Sequence, residues 1–264
     1  MDLWKEMDTY VRQWIREAGD RIIESFESPL VIETKSDRND LVTNIDKETE
    51  QFLIRKIRTT FPEHRILGEE GFGEEIKDAG GVIWILDPID GTVNFVHQKR
   101  NFMISIGVYE DGIGKLGYIY DVVHQELYSA RAGKGAYFNG IPLPKLKENR
   151  LEDTILALNP TYVVSNRKMA PSKLAELVRD VRATRSYGSA ALEMAYVAAG
   201  RLDAYMTMQL SPWDFAAGKI LIEEVGGIVT DIYGKPLNIL ENSSVFASKP
   251  QLHETILRRY APES

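Results

Sequence analysis

Apolar residues at Leu3, Met7, Tyr10, Val11, Trp14, Ile15, Ala18, Ile22, Ile23 and Phe26 recur at steps of mostly three or four. That spacing lays one apolar stripe along a 3.6-residue repeat and predicts a long amphipathic helix over residues 3–26. Residues 34–45 are polar and read as a loop or a hairpin. A second helix is expected over 46–60, with Phe52, Leu53 and Ile57 facing inward and Pro62 ending it. Residues 65–67 form a short apolar strand. Residues 82–86, 103–109, 117–122, 126–130 and 136–138 follow as strands between Gly- or Asp-bearing turns, the pattern of an antiparallel meander. Beyond Pro142 and Pro144 helices (173–182, 190–199, 215–225, 251–260) alternate with strands (204–208, 227–231, 244–248), which favours α/β layering. A soft boundary falls near 142–150. The expectation is one domain, 1–264, of two lobes, about 1–145 (α+β) and 146–264 (α/β).

Composition narrows the picture without redirecting it. The chain has 264 residues, enough to bury a substantial core, with 44% hydrophobic and 27% charged residues, ordinary for a soluble globular protein. It has no cysteine, which rules out disulfides and Cys-ligated zinc and fits a reducing cytosol. Residues 1–8 show neither a basic start nor an apolar core, so no secretory signal and a cytoplasmic location are expected. No apolar run is long enough to span a bilayer. The formal net charge of −7 argues against a nucleic-acid partner, although bound cations can invert that charge locally.

The candidate chemistry lies where apolar runs stop in acid. Residues 84–95 read Trp-Ile-Leu-Asp87-Pro-Ile-Asp90-Gly91-Thr92-Val-Asn-Phe. Pro88 biases Asp87 toward extended geometry, so Asp87 is expected to end the strand. Gly91 permits a tight turn, and Thr92 is expected to cap a short helix whose free N–H groups suit a phosphate. Asp87 and Asp90 would repel one another unless a hard divalent cation lay between them. Two further acidic segments, Gly68-Glu69-Glu70-Gly71 and Trp213-Asp214, each have a bland reading as a solvated turn or a helix cap. Asp46 is likewise expected to cap the 46–60 helix, or else to act as a base. His64, His97, His124 and His253 form no metal-ligand spacing, and no P-loop occurs.

Taken in order, Gly68-Glu69-Glu70, Asp87-Pro-Ile-Asp90-Gly-Thr92 and Trp213-Asp214 resemble the inositol monophosphatase family, within the lithium-sensitive, magnesium-dependent phosphatase superfamily. The likeness covers nearly the full chain, including Lys35 through Asp46 and Arg185–Ala191, and is thinnest over 145–183. It implies a layered α-β-α-β-α sandwich, α+β / α/β in class, and a homodimer. It implies two or three Mg²⁺ ions. Glu69, Asp87 and the carbonyl of Ile89 would hold one; Asp87, Asp90 and Asp214 a second; Glu69 through water, with Asp46, a weaker third. Asp46 and Thr92 would orient and deprotonate the attacking water, and Gly91 and Thr92 would donate N–H groups to phosphate. Arg185, Gly188, Ser189, Ala190 and Asp214 would face the leaving alcohol. Thr207 stands where many members carry an inositol-contacting glutamate, so the substrate can be an inositol phosphate, fructose 1,6-bisphosphate, NADP or a 3′(2′),5′-bisphosphate nucleotide. A regulatory binding protein on the same scaffold is the non-enzymatic alternative.

Overall fold

The computed structural model describes residues 2–34 and 41–262. Helix α1 (Leu3–Glu24) opens on Asp2, whose carboxylate accepts from the Lys5 N–H. Strands β1 (Ile32–Thr34) and β2 (Leu41–Thr43) pair antiparallel, so the polar stretch after α1 is a hairpin; residues 35–40, with Lys35 and Asp40, lie outside the described residues. Helix α2 spans Asn44–Thr60. Then come β3 (Arg65–Gly68), β4 (Val82–Asp90), α3 (Thr92–Gln98), β5 (Met103–Glu110), β6 (Ile113–Asp121), β7 (Glu126–Arg131), β8 (Gly135–Phe138) and β9 (Ile141–Pro142). The second half holds β10 (Ile155–Leu158), α4 (Thr161–Val164), α5 (Pro171–Asp180), β11 (Ala183–Arg185), α6 (Ala190–Ala198), β12 (Ala204–Leu210), α7 (Pro212–Glu224), β13 (Ile228–Thr230), β14 (Ser243–Ser248) and α8 (Pro250–Tyr260).

The expected meander is present: β4 through β9 pair in sequence order, each antiparallel to the next, and β3 joins the edge parallel to β4. A second sheet runs β11-β10-β12-β14-β13, parallel across β11-β10-β12 and antiparallel after it. Sequence pattern overlooks β10 and β11, which are short and depend on their neighbours for pairing.

Side-chain alternation fixes the layers. On β4, Trp84 and Leu86 pack with Met7, Val11 and Ile15 of α1 and Leu53 and Ile57 of α2. Ile83 and Ile85 point the other way, into a core shared with α6, α7 and the inner face of the second sheet (Tyr205, Val245, Ala247). The outer face of that sheet (Leu156, Met206, Phe246) is covered by Leu174 and Leu177 of α5 and Leu252 and Ile256 of α8. The order is therefore helix, sheet, helix, sheet, helix, the arrangement the resemblance implied.

Helix α7 is sandwiched unusually closely. A Cβ on Gly107 would lie 2.9 Å from Ala216 Cβ, and one on Gly117 would lie 2.7 Å from the Ala217 carbonyl oxygen. On the other side, a Cβ on Gly218 would meet Met194 at 2.6 Å. Small residues on both surfaces let the helix backbone rest on the sheet and fix its first turn against β4 and β5. Among the described residues no helix is long and apolar enough to cross a membrane.

Candidate active site

The site starts from an irregularity in β4. Asp87 pairs with Ser105 and Asp90 with Met103, so three steps on β4 face two on β5. In a regular strand, residues three apart point to opposite faces. One extra residue in β4, a bulge, brings both aspartates to the same side. The strand therefore does not end at Asp87, as the sequence suggested; it bends there and runs on to Asp90. Asp87 Oδ1 accepts from the Ile89 N–H at 3.0 Å across the bulge.

Asp214 arrives from the start of α7, within reach of this bulge. It occupies the third helical position, where its Oδ2 accepts from the Ser211 N–H at 2.8 Å in a capping box. Single carboxylate oxygens of Asp87, Asp90 and Asp214 all lie within 4.8 Å of one another. Glu69, on the turn after β3, joins them in lining a cavity of about 190 Å³ together with Leu41, Ile89, Gly91, Thr92, Val93 and Gly188. The four acids named from three separate segments thus converge.

Asp90 is held by the second half of the chain. Its Oδ2 accepts from the Ser189 hydroxyl and from the Ala191 N–H at 2.8 Å, and its Oδ1 from the Ala190 N–H at 3.3 Å. Ser189 caps α6, so the carboxylate sits at a helix N-terminus and benefits from its unpaired N–H groups. Burial nevertheless pushes the Asp90 carboxyl up to about 6 against those donors. Asp87 is buried and is pushed well above the ordinary range, first by desolvation and then by the charges of Glu69, Asp90 and Asp214.

A second group of polar atoms borders the cavity. The Thr92 hydroxyl lies 3.2 Å from Asp46 Oδ1 and 3.1 Å from the Ile89 carbonyl oxygen. Asp46 is fully buried, and its Oδ2 accepts from the Thr43 hydroxyl at 2.5 Å and the Thr43 N–H at 2.9 Å. Desolvation raises its carboxyl to about 6, with Thr43 and Thr92 opposing the shift. Two expected caps move by a residue or more. Thr43, not Asp46, caps α2, and Asp46 is the third residue of that capping box. Gly91, left-handed at φ 92°, precedes α3, and Thr92 is its first helical residue. Thr92 lines the cavity, and Asp46, still bonded to the Thr43 N–H in the capping box, lies behind it.

An adjoining cavity of about 270 Å³ opens beside Asp90 and Asp214 and is lined by Gly188, Ser189, Ala190, Glu193, Tyr205, Thr207 and others. The Tyr162 hydroxyl and Thr207 Oγ1 lie 3.2 Å apart there. Arg185 stands elsewhere. It is exposed, donates to the Thr184 carbonyl oxygen and lines a separate, largely apolar cleft with Leu158, Pro160 and Val163. His97 is exposed and lines neither acidic cavity. Thr43, Tyr162 and Glu193 do not stand out in the sequence reading. The Thr43-x-x-Asp46 spacing is a readable capping box, whereas Tyr162 and Glu193 carry no local signal.

The profile of the inositol monophosphatase family matches residues 3–262. Over 260 residues the chain is 60% identical to the inositol-1-monophosphatase of Bacillus subtilis (strain 168), covering 98% of each. Inositol monophosphatase II from Staphylococcus aureus superposes with a TM-score of 0.89 at 42% identity, covering 97% of this chain and 93% of that one. SaIMPase-II is also solved with inositol monophosphate bound. An IMPase/NADP phosphatase complexed with Mg²⁺ and phosphate superposes with a TM-score of 0.90 at 30% identity, covering 99% of each chain. Full-length similarity in sequence and in fold, together with the converged acidic cavity, places this chain in the inositol monophosphatase family.

Proposed function

We propose that this chain is a Mg²⁺-dependent phosphate-monoester hydrolase acting on inositol 1-phosphate and related small phosphorylated polyols. The observation that carries the reading is the meeting of Glu69, Asp87, Asp90 and Asp214 in one cavity beside the Thr92–Asp46 pair. The donor set is all carboxylate and carbonyl oxygen, which suits a hard divalent ion. Buried Asp87, crowded by three other carboxylates, has the electrostatic need for one. Four ionised carboxylates carry about −4, which two Mg²⁺ offset.

Glu69, Asp87 and the Ile89 carbonyl would hold one ion and Asp87, Asp90 and Asp214 another, with Glu69 and Asp46 near a weaker third. Bound Mg²⁺ supplies charge neutralisation, a more acidic water and stabilisation of the leaving oxygen. The protein's own groups do the rest. Thr92, donating its hydroxyl proton to Asp46, turns a lone pair toward the cavity and orients the attacking water. Asp46 then takes the proton that Thr92 relays, and its raised carboxyl makes it a competent acceptor near neutral pH. The Gly91 and Thr92 N–H groups would donate to the phosphate, both residues lining the cavity. Gly188, Ser189 and Ala190 wall the space for the leaving alcohol, with Asp214 at its edge; Arg185 would reach that alcohol only from outside the cavities described.

Thr207 and Tyr162 give that space a neutral, hydroxyl-lined wall. This favours a second reading in which NADP, fructose 1,6-bisphosphate or a 3′(2′),5′-bisphosphate nucleotide is accepted as well, because no carboxylate at position 207 repels a second phosphate. We further propose that the two lobes, about 1–145 and 146–264, act as one catalytic domain. The working form is a cytoplasmic homodimer that engages neither nucleic acid nor membrane. The test is phosphate release from inositol 1-phosphate, fructose 1,6-bisphosphate, NADP and 3′-phosphoadenosine 5′-phosphate, with and without Mg²⁺. Magnesium-dependent release, led by inositol 1-phosphate, is expected; no release from any of the four would reject the reading.

A further inference from the structure

Two buried side chains with no part in the acidic cluster close on a single turn from opposite sides. Asn94, on α3, is 6% exposed. Its amide nitrogen donates to the Asn101 carbonyl oxygen at 2.9 Å and to the Tyr187 carbonyl oxygen at 2.7 Å, which uses both of its protons. Its amide oxygen accepts from Gln98 Nε2 at 3.2 Å, which fixes the orientation of the group. From the other side, Glu193 Oε1 accepts from the Tyr187 N–H at 2.6 Å. Both peptide groups of Tyr187 are therefore tied, the N–H from within α6 and the carbonyl from the other half of the chain.

The backbone just after Tyr187 has no slack. Gly188 is left-handed at φ +76°, and a Cβ there would lie 3.2 Å from Asn94 Nδ2. A Cβ on Gly91 would lie 3.1 Å from Ser189 Cβ and 3.2 Å from the carbonyl oxygens of both Asn101 and Gly188. The next three residues, Ser189, Ala190 and Ala191, donate to the Asp90 carboxylate. Only Gly188 separates the tied Tyr187 from Ser189, the first donor to Asp90.

We infer that Asn94, backed by Glu193, is a positioning residue: by clamping the Tyr187–Gly188 turn it sets where the start of α6 holds Asp90, and hence the spacing of Asp90 from Asp87 and Asp214. A buried amide is costly unless bonded, and both protons of this one go to carbonyl oxygens beside cavity-lining glycines, that of Asn101 packed against Gly91 and that of Tyr187 preceding Gly188. An apolar side chain could fill the same space but could not bind two carbonyl oxygens. The inference rests on the proposed metal-dependent hydrolysis only for its kinetic consequence. The geometric part stands on the metal-free protein.

Asn94→Asp keeps the shape but replaces two donated bonds by repulsion between a carboxylate and two carbonyls. Asn94→Ala removes the bonds without adding charge, and Glu193→Ala releases the same turn from its other side. Lys173→Ala, exposed on α5 and in contact with neither Asn94 nor Glu193, serves as the control. Amide hydrogen exchange in the metal-free proteins is expected to accelerate at Ser189–Ala191 by about tenfold or more in the three test variants. Exchange in α8, on the far face of the second sheet, stays at the wild-type rate. The Mg²⁺ concentration for half-maximal phosphate release from inositol 1-phosphate is expected to rise about 10- to 100-fold, the usual consequence of losing a group that orients a ligand. In the two Asn94 variants KM for the substrate stays within about threefold, because the residues lining both cavities are retained. Folded Asn94 variants with wild-type exchange at Ser189–Ala191 and wild-type magnesium dependence would overturn the inference, since losing a residue that merely adds stability lowers the melting temperature and leaves both readouts alone. A wild-type protein that releases no phosphate would sink the hydrolase reading instead, and the exchange comparison would still decide the clamp.

Discussion

At Asp90 one carboxylate meets two demands. It accepts three hydrogen bonds from the start of α6 and also faces Asp87 and Asp214 across the acidic cavity. Asp90→Asn keeps an oxygen for the α6 donors and removes the charge that would hold Mg²⁺. Turnover is expected to fall at least about 100-fold while far-UV circular dichroism is unchanged; near-normal phosphate release by the folded variant would remove Asp90 from the metal site. The same residue shows what a local reading can supply. The run Asp87-Pro-Ile-Asp90-Gly-Thr92 marks the right place, because Pro and Gly at fixed offsets signal an interrupted strand whichever fold contains it. It cannot report that three steps on β4 oppose two on β5, because a bulge belongs to a pair of strands. The caps expected at Asp46 and Thr92 also shift, to Thr43 and Gly91; of these, the Thr43-x-x-Asp46 capping box is itself a local pattern.

Among the elements, α7 carries the heaviest constraint. Its residues Ala216 and Ala217 rest directly on Gly107 and Gly117 of β5 and β6, and the Tyr109 hydroxyl donates to the Ala216 carbonyl oxygen at 2.8 Å. Position 214 is set by this contact, because Asp214 lies one turn or less from it. Gly117→Val would place side-chain atoms where the Ala217 carbonyl now sits. The helix must lift, and the expected cost is about 1–3 kcal/mol by overpacking. Thermal or urea unfolding measures that loss, and Mg²⁺ affinity should weaken with it as Asp214 moves. A Gly117→Val protein as stable as the wild type would mean that α7 is not seated as described. The small residues Ala216-Ala217-Gly218 are visible in the sequence as a place of close approach. The neighbours they approach, Gly107, Gly117 and Met194, come from three other elements and are not.

For the molecule as a whole, the acidic cavity ties stability to pH and to metal. Asp46 and Asp90 are raised to about 6, Glu193 to about 7 and Asp87 well above its ordinary range, in each case chiefly by burial. Between the ordinary carboxyl range, about 4, and these values the folded chain holds protons that the unfolded chain has released. The stability that these groups contribute to the metal-free protein is therefore present at low pH and is lost as pH rises toward 7. Mg²⁺ competes for the same carboxylates, so its stabilising effect has the opposite trend. The rise in melting temperature on adding Mg²⁺ to EDTA-treated protein is expected to be larger at pH 7 than at pH 5; an equal or smaller rise at pH 7 would separate the cluster from metal binding. Li⁺ is expected to inhibit Mg²⁺-dependent phosphate release by competing for the acidic cavity, which a titration at fixed Mg²⁺ would check.

The order of the main helices and strands, the meander and the identity of the acidic segments follow from periodicity and local chemistry, because a helix stripe, an alternating strand and a Pro- or Gly-punctuated turn are fixed by neighbours within a few residues. Tertiary structure alone decided that Glu69, Asp87, Asp90 and Asp214 share one cavity, that Thr92 meets Asp46, and that Arg185 faces a different cleft. These are distances between segments tens to more than a hundred residues apart in the chain. They are set by how two sheets and the helices between them pack, which no single stretch of sequence encodes.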